Sequence, residues 1–193
     1  MAPRLGPLRL PWTRDDAKDD PYWQFFLDQP PADHRNLVTE IMRRSPEGAV
    51  FPAKADLHTP EATASHIKEL ARYCGADLAG IADLGQQDPD VAQGYPFAVV
   101  CAVRARYDPA LHPGFGGQAA TQNGLYVTFV VSAYIRELGY RATASPDPAA
   151  ERLAVAAGLG RLNEADRLVV PKLGTKVHVA DVIRTDLPLS ADG

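Results

Sequence analysis

Two glycine clusters, five histidines and two cysteines are the residues here whose types do chemistry, and their spacing decides which chemistry is open. Gly158-Leu159-Gly160 has the form of a dinucleotide-binding turn, but that turn needs a strand before it and a helix after it. A helix-forming run precedes it, so that fingerprint is rejected. Gly114-Phe115-Gly116-Gly117 lacks the Gly-Lys-Ser/Thr ending of a phosphate loop and is read as a flexible loop. His34, His58, His66, His112 and His178 have no paired ligand spacing, so no metal site is expected; His112 and His178, beside glycine-rich segments, are the least ordinary. No serine occupies a Gly-x-Ser-x-Gly elbow, and the acidic run Asp15 to Asp20 is read as a solvated face. Cys74 and Cys101 lack a Cys-x-x-Cys partner and lie among apolar neighbours, which makes them small buried hydrophobes rather than a disulfide. Residue chemistry alone names no reaction.

These residues must be held by elements that the hydrophobic pattern foretells. The small-residue run Ala149 to Ala157 reads as a helix, with Asp147 as N-cap, Pro148 at its first position and Gly158 as its left-handed stop. After the polar stretch Arg161 to Arg167 come two β-rich segments, and the second, Thr175 to Ile183, alternates like a single strand. Upstream, Thr59-Pro60-Glu61 opens a helix that continues through Ile67, Leu70, Ala71 and Cys74 and stops at Gly75. Asp77 to Ala82 reads as a short strand and Phe97 to Val103 as a strand buried on both faces. A long Gly/Pro-rich loop is expected from Arg104 to Gly124, then an amphipathic helix from Leu125 to Leu138 and a strand from Tyr140 to Ala144. The expected class is α+β, a mixed sheet with helices packed on it.

At 193 residues and 46% hydrophobic content the chain suits one domain, residues 59–193, preceded by an irregular N-terminal arm, residues 1–58, with a short helix from about Ala32 to Arg44. Trp23, Phe25 and Phe26 of that arm are expected to pack on the domain or on a second subunit. A formal charge of -4 without a basic run argues against nucleic acid. Apolar runs far shorter than about 20 residues argue against a membrane span. Without a signal-like N-terminus, and with Arg43-Arg44 inside a helix, a cytoplasmic location is expected.

Four motifs carry a family resemblance: Tyr134-Ile135-Arg136-Glu137-Leu138-Gly139-Tyr140-Arg141-Ala142, Ala156-Ala157-Gly158-Leu159-Gly160, Val170-Pro171-Lys172-Leu173-Gly174-Thr175-Lys176-Val177 and Thr185-Asp186-Leu187-Pro188-Leu189. In this order and spacing, the run from about Thr59 to Leu189 resembles the corrinoid-binding domain shared by reductive dehalogenases and epoxyqueuosine reductases. The resemblance implies a nitroreductase-like α+β fold and a cobalamin held between this domain and a ferredoxin-like module. It also implies that Gly158, Leu159, Gly160 and Arg161, with Pro171, Lys172, Gly174, Thr175, Lys176, Val177 and His178, face the corrin. Glycines there would let backbone amides approach it. Lys172 and Lys176 would pair with the nucleotide-tail phosphate, the alternative being two solvated surface charges.

The sequence departs from that family in two ways. Family members continue past the Asp-Leu-Pro-Leu motif into two four-cysteine cluster motifs, whereas these residues end at Gly193 with two cysteines, so no iron–sulfur cluster is expected in this chain and a separate ferredoxin-like donor would supply electrons. The family's proton donor falls near Thr121 and Gln122, neither of them a useful acid; Tyr126, about a turn away, is the nearest candidate, its alternative being an ordinary residue of an amphipathic helix. Three readings follow: a cobalamin-binding oxidoreductase, expected as a homodimer whose aromatic arm closes the pocket; a nitroreductase-type enzyme using FMN; and a non-catalytic cofactor carrier or partner subunit.

Overall fold

The computed structural model describes Thr39 and residues 42–85, 94–105 and 119–193. The aromatic cluster Trp23 to Phe26, the acidic run, His34, His112 and the Gly114 to Gly117 loop lie outside these residues. Of the helix expected from Ala32 to Arg44, Thr39 and Met42 to Arg44 are described, and they are helical.

Helix α1, Pro60–Tyr73, begins where the local code puts it. Thr59 Oγ1 accepts a hydrogen bond from Ala62 N (3.3 Å), Pro60 occupies the first turn, and Glu61 sits at the positive end of the helix dipole. Strands β1, Leu78–Asp83, and β2, Phe97–Arg104, pair antiparallel from Leu78↔Ala102 to Asp83↔Phe97. Helix α2 runs from Ala119 to Glu137, so the described end of the expected 104–124 loop is helical. Helix propensity in Ala119-Ala120-Thr121-Gln122 was enough to extend the element upstream of its apolar stripe.

Gly139 (φ +82°) turns the chain out of α2, and a Cβ there would lie 2.4 Å from Ala53 O. The segment that crosses this helix end donates from Phe51 N to Arg136 O (2.9 Å) and from Ala55 N to Leu138 O (2.9 Å), supplying partners for two terminal carbonyls.

Strand β3, Ala142–Ser145, leads to helix α3, Ala150–Ala156. The expected cap is displaced. Asp147 Oδ1 accepts from Ala149 N (2.8 Å) while its Oδ2 binds Arg184 Nη2 (2.7 Å), so the carboxylate is shared with a distant strand and the helix starts later. A two-residue hairpin, β4 Arg161–Leu162 and β5 Leu168–Val169, fills the polar stretch.

The strand expected from Thr175 to Ile183 is split into β6, Val177–Val179, and β7, Val182–Thr185, and both pair with β2. Between the pairs Ala102↔Val179 and Val99↔Ile183, two residues of β2 face three of the partner, Ala180, Asp181 and Val182. This is a β-bulge, and it carries the acidic residue of the segment out of the ladder. The sheet order is β1-β2-β7-β3, with β6 also on β2. Expected to be mixed, the sheet is antiparallel at each of these pairings. The α+β class stands.

β2 is the shared centre. Its Val99 and Cys101 join Ile67 of α1 and Val127, Val131 and Ile135 of α2 in one core, while Ala98, Val100 and Ala102 join Leu153, Ala154 and Leu168 in the other. Helices α1 and α2 therefore cover one face, and α3 with its hairpin the other. Burial, with Cys74 nearby as a lesser cause, pushes the Cys101 thiol up to about 12, as befits a packing residue rather than a nucleophile.

Candidate functional site

The glycine turn and the proline–lysine turn come together through the hairpin. Gly158 (φ +71°) closes α3 in a Schellman arrangement: its N–H donates to Val155 O (2.9 Å), and Leu159 N–H donates to Ala154 O (2.9 Å). Leu159 is buried in the α3 core. At Gly160 a Cβ would lie 2.4 Å from Val169 O, so a side chain cannot fit where the chain enters β4. Arg161, exposed, pairs with Val169 in the hairpin. Glu151 of α3 fastens this unit by accepting from Leu168 N (2.8 Å). Both glycines thus have an internal reason for their identity.

Beyond β5 the chain makes a tight turn. Val170 N donates to Gly174 O (3.0 Å), and Gly174 N donates back to Val170 O (2.8 Å). Lys172 (φ +67°) and Gly174 (φ +59°) are left-handed within it, and Pro171, Lys172, Gly174, Thr175 and Lys176 are exposed. Val177 is buried, which anchors the turn on β6. His178 points to the α2 side, where a Cβ at Gly124 would be 3.4 Å from its Cδ2. Burial lowers the His178 pKa from its usual value, and the Asp181 and Glu151 carboxylates partly oppose this.

The unfolded imidazole protonates near its ordinary 6.5 while the folded one stays neutral to lower pH, so His178 contributes stability above about pH 6.5 that is lost as the pH falls through the lowered folded value. The thermal midpoint should fall less steeply between pH 7.5 and 5 in His178→Gln than in the parent protein, as scanning calorimetry at several pH values would read. Tyr126, 54% exposed, stands on α2 across the sheet from the hairpin, so these two parts of the expected site are not brought together.

A cleft among the described residues lies in a different place, and none of the residues expected to face a corrin lines it. One wall is Met42, Arg43, Ser45 and Glu47; the other is a single face of α2, Leu125, Thr128, Phe129, Ser132 and Arg136. Asp181 reaches it from the bulge and takes Arg43 in a two-point ion pair, Nη2 to Oδ1 at 3.0 Å and Nε to Oδ2 at 3.2 Å.

The first and fourth sequence motifs are also joined. Arg141 Nε donates to Asp186 Oδ2 (2.8 Å), Arg141 N donates to Asp186 Oδ1 (2.7 Å), and Thr185 Oγ1 donates to Arg141 O (2.8 Å). The second and third motifs meet through the hairpin. The first and fourth motifs thus clasp segments distant in sequence, while the second and third flank the hairpin.

No protein-family model and no curated protein matches the chain. Solved structures do. The catabolic reductive dehalogenase NpRdhA superposes with a TM-score of 0.71 and 28% identity, over 84% of this chain and 24% of its own. A reductive dehalogenase whose structure suggests a mechanism for B12-dependent dehalogenation follows with a TM-score of 0.68 and 26% identity, over the same shares. This chain has the reductive dehalogenase fold. The resemblance carried by the four motifs is borne out at that level, and the chain spans about a quarter of the length of the dehalogenases it matches. An epoxyqueuosine reductase structure, with a tRNA stem loop, is similar at a TM-score of 0.47 and 15% identity, over 68% of this chain and 47% of its own.

Within this dehalogenase fold, sequence reasoning missed the cleft. One signal was available: Gly124, Thr128, Ser132 and Arg136 recur every fourth residue, a polar stripe on an otherwise apolar helix, and all four are buried. Among the described residues there is no group of His, Cys, Asp and Glu able to hold a metal ion, and no helix long and apolar enough to cross a membrane.

Proposed function

We propose that this chain is a corrinoid-binding redox domain that forms one wall of a B12 site and works with a separate ferredoxin-like electron donor. The observation that carries the reading is the 26–28% identity over 84% of the chain with reductive dehalogenases, one of them described as B12-dependent. The residues fit such a ligand as a surface wall. Lys172 and Lys176 are exposed with no ion-pair partner among the described residues, and a Cβ at Gly174 would meet nothing within 4 Å. An open left-handed turn flanked by two uncommitted cations suits an anionic, amide-rich molecule.

When bound, a corrinoid supplies the cobalt-centred redox chemistry. This chain's part is placement. Lys172 and Lys176 hold the phosphate of the nucleotide tail, and Val177 fixes the turn on the sheet.

The test is retention. The protein is incubated with hydroxocobalamin or FMN, passed through a desalting column, and its visible spectrum recorded. Corrinoid absorption should stay with the protein, and retention should drop about tenfold in Lys172→Glu/Lys176→Glu, since each exposed charge pair contributes little by itself. Retained flavin would replace this reading with a nitroreductase-type one. A folded protein that keeps neither cofactor would be a cofactor-free interaction module.

A further inference from the structure

Among the described residues Arg136 is a buried cation without an ion-pair partner. It is 4% exposed, and among the described residues its guanidinium makes one hydrogen bond, Nη1 to Ala142 O at 2.9 Å, and no ion pair. Isolated ionised groups are costly to bury, and a planar guanidinium offers five N–H donors, most of which have no acceptor among the described residues. Arg136 lines the cleft between α2 and the Met42 to Glu47 wall. Of the two carboxylates lining the cleft, Asp181 is engaged by Arg43 at two points, and Glu47 is exposed and forms no ion pair with Arg136. The hydroxyls of Thr128 and Ser132 donate to their own helix, to Leu125 O (3.2 Å) and Phe129 O (3.0 Å), and the guanidinium of Arg136 donates to Ala142 O rather than to either of them.

We propose that this cleft binds the carboxylate of a small monoanionic organic acid, with Arg136 as the residue that recognises it. A carboxylate matches the guanidinium fork in shape and in single charge. Phosphate would bring a second charge that no remaining cation of the cleft takes up. Leu125, Phe129, Met42 and Ala144 give the rest of the ligand an apolar wall, so a short aliphatic acid fits better than a polar one. The inference does not depend on a corrinoid.

The experiment follows the backbone amide resonances of Thr128, Ser132 and Ala144 in the 15N-labelled protein during titration with sodium butyrate at constant ionic strength. Inorganic phosphate serves as the second arm. Saturable shifts with butyrate are expected, absent in Arg136→Met and weakened about tenfold in Ala144→Leu, which narrows the cleft without touching the guanidinium. The proposal is overturned if no saturable shift occurs, if the shifts persist in folded Arg136→Met, or if phosphate moves the same resonances at equal or lower concentration. Should Arg136→Met not fold, Ala144→Leu decides: unchanged butyrate affinity there also overturns it.

Discussion

Gly160→Val is expected to destabilise the protein by about 2–4 kcal/mol, at the upper end of what overpacking costs, because the new side chain meets backbone rather than a movable side chain. Its Cβ would sit 2.4 Å from Val169 O and 3.1 Å from Val169 C, with Leu168 Cδ1 at 3.2 Å. Relief requires the β4–β5 hairpin to open. Leu168, 2% exposed, would then leave the α3 core, and the Leu168 N to Glu151 Oε2 hydrogen bond would go with it. Denaturant midpoints should record the loss. If the variant unfolds within about 0.5 kcal/mol of the parent, the close approach at Gly160 is not what holds the hairpin. The Lys172 to Lys176 turn follows directly from β5, so corrinoid retention should fall in the same variant, and by more than in the double lysine variant.

A loss of similar size, about 3 kcal/mol, is expected for Gly139→Ala, for two additive reasons. The residue has φ +82°, where a Cβ costs about 1–2 kcal/mol. That Cβ would also lie 2.4 Å from Ala53 O and 2.7 Å from Lys54 Cα, both backbone. Gly75→Ala separates these contributions: its φ is +112° but nothing lies within 4 Å of the new Cβ, so only the backbone strain should appear. Equal losses at the two positions would show that the crossing segment yields freely. In Gly139→Ala the amides of Phe51 and Ala55, which donate to the end of α2, should also lose protection from hydrogen exchange.

These two glycines differ in how visible they are in the sequence. Gly139 follows a long apolar stripe and reads as a helix stop, and its conformation is the expected one. Gly160 reads as part of a glycine-rich binding turn, yet its identity is explained by a strand contact with Val169, which no local pattern announces.

The sequence by itself determined whatever depends on neighbours within a few residues. Thr59-Pro60-Glu61 caps its own helix, Gly158 ends α3 through bonds to Val155 and Ala154, and the unbroken apolar run of β2 requires cover on both faces. The four motifs also pointed to the reductive dehalogenase fold, because their order and spacing are a property of the chain alone. What only the tertiary structure decided are the features that need a partner far along the chain. The extra residue at Ala180 to Val182 is invisible without knowing that both β6 and β7 pair with β2. Asp147 looked like a plain cap until Arg184, 37 residues away, claimed half of its carboxylate. Arg136 stands in the sequence only as one residue of the first motif, and it is the wall from Met42 and the Phe51 to Ala55 crossing that leave its guanidinium facing a cleft. Burial and register are set by which distant segments meet, and a local pattern of polarity cannot encode that choice by itself.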